Sequence, residues 1–151
     1  MSTRERGDQD FEARVRESFA KQGLMDTLGA SIARVLPGAV EIVLPASPAV
    51  SQQHGFVHAG AVASIADSAA GYAALSLMPS GAGVLTTEFK INLVAPAFGD
   101  RIVARGRVVK AGRTLTLAQT EVFAERDGQE KLVALLTATL MAIEGRAGVS
   151  D

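Results

Sequence analysis

The sequence predicts an α+β domain in which one long helix packs against an antiparallel sheet. An alanine-rich segment at residues 59–78 has the composition of a helix, whereas the segments before and after it alternate between apolar and polar residues as strands do. Turn dipeptides separate the alternating segments. The chain has 151 residues, the size of one domain, and we expect a single domain over residues 11–143.

Composition excludes several kinds of function. The chain carries 15 basic and 16 acidic residues, so it lacks the basic excess of nucleic-acid-binding proteins. It contains no cysteine, which excludes disulfides, thiolate nucleophiles and cysteine-ligated zinc. The first ten residues are polar and lack the apolar core of a signal peptide. We therefore expect a cytoplasmic protein.

The start of the chain predicts a tail followed by a helix. Residues 1–10 are polar and charged, and we expect them to be a disordered tail. Apolar side chains then recur every four positions from Phe11 to Phe19, with charged residues between them. This spacing predicts an N-terminal amphipathic helix that ends near Gly23.

The middle of the chain predicts two strands, a loop and the long helix. Residues 30–45 alternate around the turn dipeptide Pro37-Gly38, and residues 46–58 have the composition of a loop. Alanine, the best helix former, occupies eight of the seventeen positions at 59–75. A membrane span of this length is disfavoured, because an aspartate at its centre would cost about 2.5–3.5 kcal/mol.

Four strands are predicted after the helix, at 84–94, 101–109, 114–125 and 131–143. The dipeptide Asp127-Gly128 predicts a tight hairpin between the last two. Strict alternation in the first of these strands predicts one apolar face, made of Leu85, Thr87, Phe89, Ile91 and Leu93. Residues 144–151 are expected to be a disordered tail.

One carboxylate stands alone in a long uncharged stretch. The 46 residues between Glu41 and Glu88 contain a single formal charge, Asp67, whereas an average stretch has about a quarter of charged residues. On a helical wheel Asp67 falls nearly opposite Ile65, which lies with Val62, Ala69 and Tyr72 on the predicted core side. The neighbours of Asp67 are small and uncharged: Gly60, Ala63, Ser64, Ala70, Gly71 and Ala74.

That small-residue face has two interpretations. It faces water, or it lies against a ligand or a second subunit. A solvated helix face normally carries several charged residues, so we favour close approach of another surface. A carboxylate kept in such a place needs a partner or a chemical role, which makes Asp67 the first candidate for catalysis.

His58 directly precedes the helix. The backbone N–H groups of Ala59 and Gly60 are expected to be free at the helix N-terminus, where they would bind an anion or an oxyanion. Alternatively, His58 caps the helix or packs locally. A metal pair with His54 is disfavoured, because the loop does not bring both rings to one face and no third ligand has suitable spacing. We expect no metal site.

The helix N-terminus and Asp67 are too far apart to act together within one chain. Eight residues separate Ala59 from Asp67, which is about 12 Å along a helix axis. If both act on one bond, they come from different subunits, with two copies of the helix packed antiparallel about a twofold axis. We therefore expect a homo-oligomer, either a dimer or a tetramer, with a shared site.

These motifs resemble the signature of hotdog-fold acyl-CoA thioesterases of the PaaI-like group. The resemblance covers residues 24–143 and implies a long helix wrapped by a curved antiparallel sheet. It also implies hydrolysis of an acyl- or aryl-acyl-coenzyme A to free acid and coenzyme A. The matching residues are Gly55-Phe56-Val57-His58-Ala59-Gly60, Ala66-Asp67-Ser68-Ala69, Gly71, Glu88-Phe89-Lys90-Ile91-Asn92, Pro96 and Gly112-Arg113-Thr114.

The resemblance implies roles for particular residues. Asp67 becomes the catalytic carboxylate, and the N–H of Ala59, which follows His58, polarises the thioester carbonyl. Gln52 lies near the reacting centre, and Thr86 helps to hold the water, with Thr87 as its rival. No separate cofactor is implied, because coenzyme A is part of the substrate. Candidates for binding it are Lys110, Arg113, Gly60 and Lys90, with Arg101 and Arg105 as weaker ones.

Three other functions remain open at this point. A purely structural dimer module would need neither Asp67 nor the helix start at His58. A non-catalytic acyl-CoA-binding protein would keep the groove without needing Asp67. A hotdog hydratase would need a second acid or base, usually a histidine on the same helix, and none lies between Ala59 and Met78. The sequence also departs from the His-Gly-Gly that is common in the family, because it has His58-Ala59-Gly60. The methyl group of Ala59 is expected to narrow the path for the substrate, whereas the backbone N–H donor is kept.

Overall fold

The computed structural model describes residues 10–151. They form the predicted α+β architecture, with one long helix against one six-stranded antiparallel sheet. The predicted tail at 1–10 lies outside the described residues except for Asp10, the N-cap of the first helix. The single-domain prediction stays a prediction.

Three α-helices are present in residues 10–151, and the first two precede the sheet. The predicted N-terminal helix is α1 (Phe11–Ala20), and a second short helix, α2 (Gly23–Leu28), follows where the sequence indicated only that the first helix had ended. Gly29 ends α2 with a φ of +80°, a left-handed conformation that glycine adopts without steric cost. The long helix is α3 (Ala59–Leu75).

The strands follow the predicted order along the chain. In the sheet their spatial order is β1-β2-β4-β5-β6-β3, and every neighbouring pair is antiparallel. The short strands therefore lie at one edge and β3 at the other. Their bounds are β1 (Ser31–Leu36), β2 (Ala39–Pro45), β3 (Gly83–Leu93), β4 (Arg101–Ala111), β5 (Leu115–Arg126) and β6 (Gln129–Ile143).

Helix α3 lies directly on the sheet. Its predicted core side is buried, with Ile65 and Ala69 fully enclosed. The hydroxyl of Thr120 on β5 donates to the carbonyl of Ala66 at 2.8 Å, which attaches the two layers at mid-helix. Gly106 on β4 lies so near that a Cβ there would come within 2.4 Å of the Ala69 carbonyl. The sheet thus approaches the helix backbone itself.

The predicted small-residue face of α3 is only half correct. Ala70, Gly71 and Ala74 are buried by the same chain, and a Cβ on Gly71 would lie 3.6 Å from Leu140 of β6. These three residues are therefore not available to another surface. The open part of the face comprises Gly60, Ala63, Ser64, Asp67 and Ser68, which are all at least partly exposed.

The predicted apolar face of β3 is wrong in its register. A β-bulge between Thr86 and Glu88 adds one residue, Thr87, to the strand. Thr86 pairs with the buried Leu140, and beyond the bulge Phe89 pairs with the buried Ala138. Thr86 therefore shares the helix-facing side with Phe89, Ile91 and Leu93, whereas the prediction placed Leu85 and Thr87 there.

This side of β3 is also not fully covered. Phe89 and Leu93 expose 48% and 53% of their surface. Because β3 is an edge strand, its outer backbone groups have no neighbouring strand in the described chain. The edge is eleven residues long.

The end of the chain returns to the helices. Residues 144–151 form no helix or strand, but the Asp151 carboxylate accepts hydrogen bonds from the Ser18 hydroxyl at 2.7 Å and the Val84 N–H at 2.8 Å. The disorder predicted for this segment stays a prediction. In the structure, the segment is attached to α1 and β3 through the side chain of Asp151. No helix among the described residues is long and apolar enough to cross a membrane.

Candidate active site

Asp67 and Thr86 form a hydrogen-bonded pair between α3 and β3. The Thr86 hydroxyl donates to Asp67 Oδ1 at 2.8 Å. The neighbouring Thr87 instead donates to the backbone carbonyl of Thr139 at 3.1 Å. Of the two threonines that the sequence offered, only Thr86 reaches the carboxylate, and the β-bulge at Thr87 is what separates their directions.

The environment of Asp67 favours its protonated form. Burial raises the pKa of its carboxyl above the ordinary value, and the hydrogen bond from Thr86 lowers it in part. The direction is the one expected for a lone carboxylate on an uncharged helix face. A raised pKa makes the carboxylate a stronger base once it is ionised.

A cleft runs along the open side of α3 and contains Asp67. We call it the Asp67 cleft. Its volume is about 760 Å³, and β3 and the two N-terminal helices form its other walls. Its lining includes Gly60, Ser64, Asp67, Tyr72, Thr86 and Phe89.

The N-terminus of α3 is capped by His58. Its Nδ1 accepts a hydrogen bond from the Gly60 N–H at 2.7 Å, so the expectation that this N–H is free is wrong. The local alternative, a capping histidine, is what the structure contains. The N–H of Ala59 has no acceptor within the described chain and is the donor that remains available.

A second cleft lies beside this helix start. We call it the His58 cleft. Its volume is about 530 Å³, and its walls come from the loop before α3 and the segment after β3. The Gln52 side-chain oxygen accepts from the His54 N–H, which folds the loop on itself and leaves the Gln52 NH₂ group free to donate. Its lining includes Gln52, Phe56, His58, Ala59, Leu93 and Pro96.

The predicted catalytic residues thus fall into two sets. Asp67 and Thr86 line the Asp67 cleft, whereas Gln52, His58 and Ala59 line the His58 cleft. Ala59 and Asp67 are eight positions apart on α3, which keeps the two sets about 12 Å apart. Neither cleft alone offers both a carboxylate and a free backbone donor.

The predicted coenzyme A cations are dispersed. Lys110 lies beside a bulge in β4, and Arg113 lies in the β4–β5 turn, where both are exposed. Lys90 follows Glu88 on the side of β3 that faces away from Thr86. None of these three lines either cleft, and Gly60 alone of the four predicted binding residues does so.

The weaker cation candidates already have partners. Arg105 forms ion pairs with Glu41 and Glu130, and Arg101 pairs with Glu125. The contact with Glu130 is the leading cause that raises the pKa of Arg105 further. These arginines of β4 therefore have carboxylate partners on β2, β5 and β6 and are poorly available to phosphates.

Sequence reasoning missed a polar network at the far end of the Asp67 cleft. Gln22 donates to the Tyr72 hydroxyl at 2.9 Å and accepts from Ser68 at 3.1 Å. Ser18 lies 3.2 Å from the Tyr72 oxygen and donates to Asp151 at 2.7 Å. These residues come from three distant parts of the chain, so no local pattern could have grouped them.

The described residues contain no group of three or more histidine, cysteine, aspartate or glutamate side chains that could hold a metal ion. His54 contacts only its neighbour Gln53 through its ring, at 3.4 Å. The groups that line the two clefts include the Asp67 carboxylate, the Thr86 hydroxyl, the Gln52 amide and the Ala59 backbone N–H.

Comparison with known proteins identifies relatives of this arrangement. The model of the thioesterase superfamily matches residues 54–131, just over half of the 151 residues. A thioesterase family protein from Silicibacter pomeroyi has 54% identity and a TM-score of 0.88, over 89% of this chain and 99% of that chain. A Halobacterium salinarum relative, named as a presumed esterase, is 29% identical over 80% of this chain and 83% of its own length.

More distant structures share the fold. The PaaI protein from the phenylacetic acid degradation operon of E. coli has a TM-score of 0.82 with 21% identity, over 95% of this chain and 98% of that chain. A Haemophilus influenzae thioesterase has a TM-score of 0.78 with 20% identity, over 87% and 90% of the two chains.

Proposed function

The chain belongs to the thioesterase superfamily, and from this premise we propose that it hydrolyses acyl- or aryl-acyl-coenzyme A to a free acid and coenzyme A. One observation carries the proposal. The only formal charge in a stretch of 46 residues is a half-buried carboxylate that Thr86 holds in a cleft. A carboxylate kept at this energetic cost is typical of a catalytic site.

The proposed reaction divides the work between the carboxylate and the backbone. The thioester carbonyl oxygen accepts from the Ala59 N–H, where the partial positive charge of the helix N-terminus stabilises the developing oxyanion. Asp67 either takes a proton from the attacking water or attacks the carbonyl itself. In both routes the tetrahedral intermediate expels the coenzyme A thiolate, whose stability as an anion makes a strong general acid unnecessary. Attack by Asp67 leaves an anhydride, which a water molecule then hydrolyses to the free acid and the regenerated Asp67 carboxylate.

We propose that two subunits share each site. The Ala59 N–H and Asp67 lie in different clefts, and the open part of α3 carries only small residues beside Asp67. Packing two such helices antiparallel about a twofold axis brings Asp67 of one subunit towards Ala59 of the other. The long unpaired edge of β3 offers a backbone surface along which two copies would join.

The central test compares Asp67→Asn with wild type on a panel of acyl-coenzyme A thioesters. Loss of the base or nucleophile should lower kcat/KM by about 10²–10⁴-fold. Asp127→Asn is the matched control, because Asp127 lies at φ +51° in the exposed β5–β6 turn, where asparagine is well tolerated. This control should keep wild-type activity.

The outcomes separate the candidate functions. If wild type hydrolyses none of the thioesters but binds them, the chain is an acyl-CoA-binding protein and the hydrolase proposal fails. If Asp67→Asn retains turnover, hydrolysis proceeds without the carboxylate and the proposed mechanism is wrong.

A complementation experiment tests the shared site. Ala59→Pro removes the proposed oxyanion donor yet suits the first position of a helix, and His58 before it already has φ −60° and ψ 138°, which a following proline requires. When inactive Asp67→Asn and Ala59→Pro subunits are co-refolded, half of the dimers are mixed and each has one intact site. About a quarter of the wild-type activity should return. No recovery would mean that each chain works alone.

A further inference from the structure

The far end of the Asp67 cleft contains a second carboxylate, that of Asp151. We propose that Asp151 is a specificity residue, which makes the cleft reject acyl groups that end in a carboxylate. The inference rests on the proposed function and names the substrate class: acyl groups with a neutral end are accepted and those with an anionic end are excluded.

Asp151 is held firmly at this position. Its Oδ1 accepts from the Ser18 hydroxyl at 2.7 Å, and its Oδ2 accepts from the Val84 N–H at 2.8 Å. Ser18 belongs to α1 and Val84 to β3, so the carboxylate bridges the two walls of the cleft. A ligand that displaced this carboxylate would have to break both hydrogen bonds.

The strong donors at this end are already used. The single hydroxyl hydrogen of Ser18 is directed at Asp151, so the Tyr72 hydroxyl donates to Ser18 in turn, at 3.2 Å. One Gln22 N–H is committed to Tyr72. An incoming carboxylate would therefore meet a negative charge without the hydroxyl and backbone donors that could offset it.

The position of Asp151 places its charge in the path of an acyl group. Tyr72 lies five residues after Asp67, about 7.5 Å further along α3, and both line the cleft together with Asp151. The charge of Asp151 also acts on Tyr72. Burial is the main cause that raises the pKa of the Tyr72 hydroxyl, and the negative charge of Asp151 raises this pKa further. Among the lining residues, Lys21 is the only cation, and it is exposed.

The test compares two thioesters of equal carbon number, pentanoyl-coenzyme A and glutaryl-coenzyme A, which differ in a terminal methyl or carboxylate. The wild type should strongly prefer pentanoyl-coenzyme A. Asp151→Asn keeps the shape but removes the charge, so the glutaryl-to-pentanoyl ratio of kcat/KM should rise by about tenfold or more, equivalent to about 1.4 kcal/mol. Asp151→Ala should shift the ratio in the same direction.

Two further variants test the direction of the charge effect and provide a control. Lys21→Gln removes the only lining cation and should lower the glutaryl-to-pentanoyl ratio. Asp127→Asn makes the same chemical change as Asp151→Asn far from the cleft and should leave the ratio unchanged. An unchanged ratio in Asp151→Asn, with wild-type thermal unfolding, would overturn the inference.

A binding measurement separates this inference from the hydrolase proposal. The thioether analogues S-pentyl- and S-(4-carboxybutyl)-coenzyme A cannot be hydrolysed, and calorimetry gives their affinities directly. If wild type hydrolyses neither thioester, the proposed function fails, yet the affinity ratio of the thioethers still judges Asp151. Equal affinities of wild type for both analogues, or no binding of either, would contradict the role given to Asp151.

Discussion

The two halves of α3 have opposite surroundings. From Ala69 to Leu75 every residue is buried, including Ala70, Gly71 and Ala74 on the side that the helical wheel assigned to another surface. From Ala59 to Ser68 buried and open positions alternate with the helical period. One half is enclosed by its own sheet, and the other keeps a face on which a substrate and a second subunit are proposed to bind.

The difference shows how one long helix can be rigidly held in one half and accessible in the other. The enclosed half is fixed by backbone-level contact with β4, and α1 reaches its end, where Arg14 donates to the Met78 carbonyl at 2.8 Å. The open half continues the same helix, but one of its faces is not covered by the sheet or by another helix. Substitutions in the enclosed half should therefore affect stability, and substitutions in the open half should affect chemistry.

The largest effect on stability is expected from Gly106→Ala. Its new Cβ would lie 2.4 Å from the Ala69 carbonyl group and 2.7 Å from the Ala70 nitrogen. Because both are backbone atoms of the enclosed half, the helix must move away from the sheet. We expect the free energy of unfolding to fall by more than about 2 kcal/mol, measured by urea denaturation.

Gly23→Ala is the matched control for this prediction. A Cβ on Gly23 would have nothing within 4 Å, and its φ is not in the left-handed region. The change should stay within about 0.5 kcal/mol of wild type. Equal effects of the two alanines would mean that the contact with Ala69 does not limit the fold.

Thr86→Val should alter chemistry in the open half. It removes the hydrogen bond that lowers the pKa of Asp67, so the carboxylate would form only at higher pH. On the acidic side of the pH profile, kcat/KM should fall by roughly tenfold and recover as pH rises.

Thr87→Val provides the control for that profile, since Thr87 donates to the Thr139 carbonyl and not to Asp67. Its pH profile should coincide with that of wild type. If both valine variants shift the acidic limb alike, the Thr86 hydrogen bond does not set the ionisation of Asp67.

A smaller gain in stability is expected from Gly71→Ala. The added methyl would lie 3.6 Å from a methyl of Leu140, which is ordinary van der Waals contact. Alanine is also favoured over glycine inside a helix, so the free energy of unfolding should rise by about 0.5–1 kcal/mol. A loss of stability in urea denaturation would show that the enclosed half has no space for one methyl.

The smallest effect is expected in how the stability of Asp67→Asn, compared with that of wild type, depends on pH. Because burial raises the pKa of Asp67, the folded protein holds that proton more tightly than the unfolded chain does. This contribution is fully present below about pH 3.9 and is lost as pH rises through the folded-state pKa. The variant should therefore be the more stable protein at pH 7.

Thermal unfolding over a pH series would measure this difference. The gap between Asp67→Asn and wild type should narrow as pH falls towards 4. A gap that stays constant with pH would instead point to packing or hydrogen bonding as its cause.

Much of the fold could be read from local patterns. The helices at Phe11 and Ala59, the hairpin at Asp127-Gly128 and all six strands are where apolar spacing and turn residues place them. The resemblance to hotdog thioesterases is confirmed in family and fold. Periodicity failed where one extra residue, Thr87, changed the register of β3, because a bulge leaves no mark in an alternating sequence.

The candidate site was predictable only in part. Asp67 was singled out because it is the only formal charge in a stretch of 46 residues. Thr86 was singled out by the resemblance to hotdog-fold thioesterases. The capping of Gly60 by His58 depends on a side-chain rotamer, and the burial of Ala70 depends on how far the sheet extends over the helix. Both are outcomes of tertiary packing, which local spacing does not encode.

The bulge in β3 has a consequence for how such a chain changes over time. It changes the phase of the strand: Thr86, before the bulge, donates to Asp67, and Phe89, beyond it, lines the same cleft. Because Thr87 is the extra residue, its deletion would remove the bulge yet leave Phe89 paired with Ala138 and on the same side as Thr86. Taking Thr87 into regular pairing instead would turn every later side chain of the strand to the opposite face. The strand can therefore lose this residue over time without turning Phe89 away from the Asp67 cleft, but it cannot lose the bulge and keep the residue.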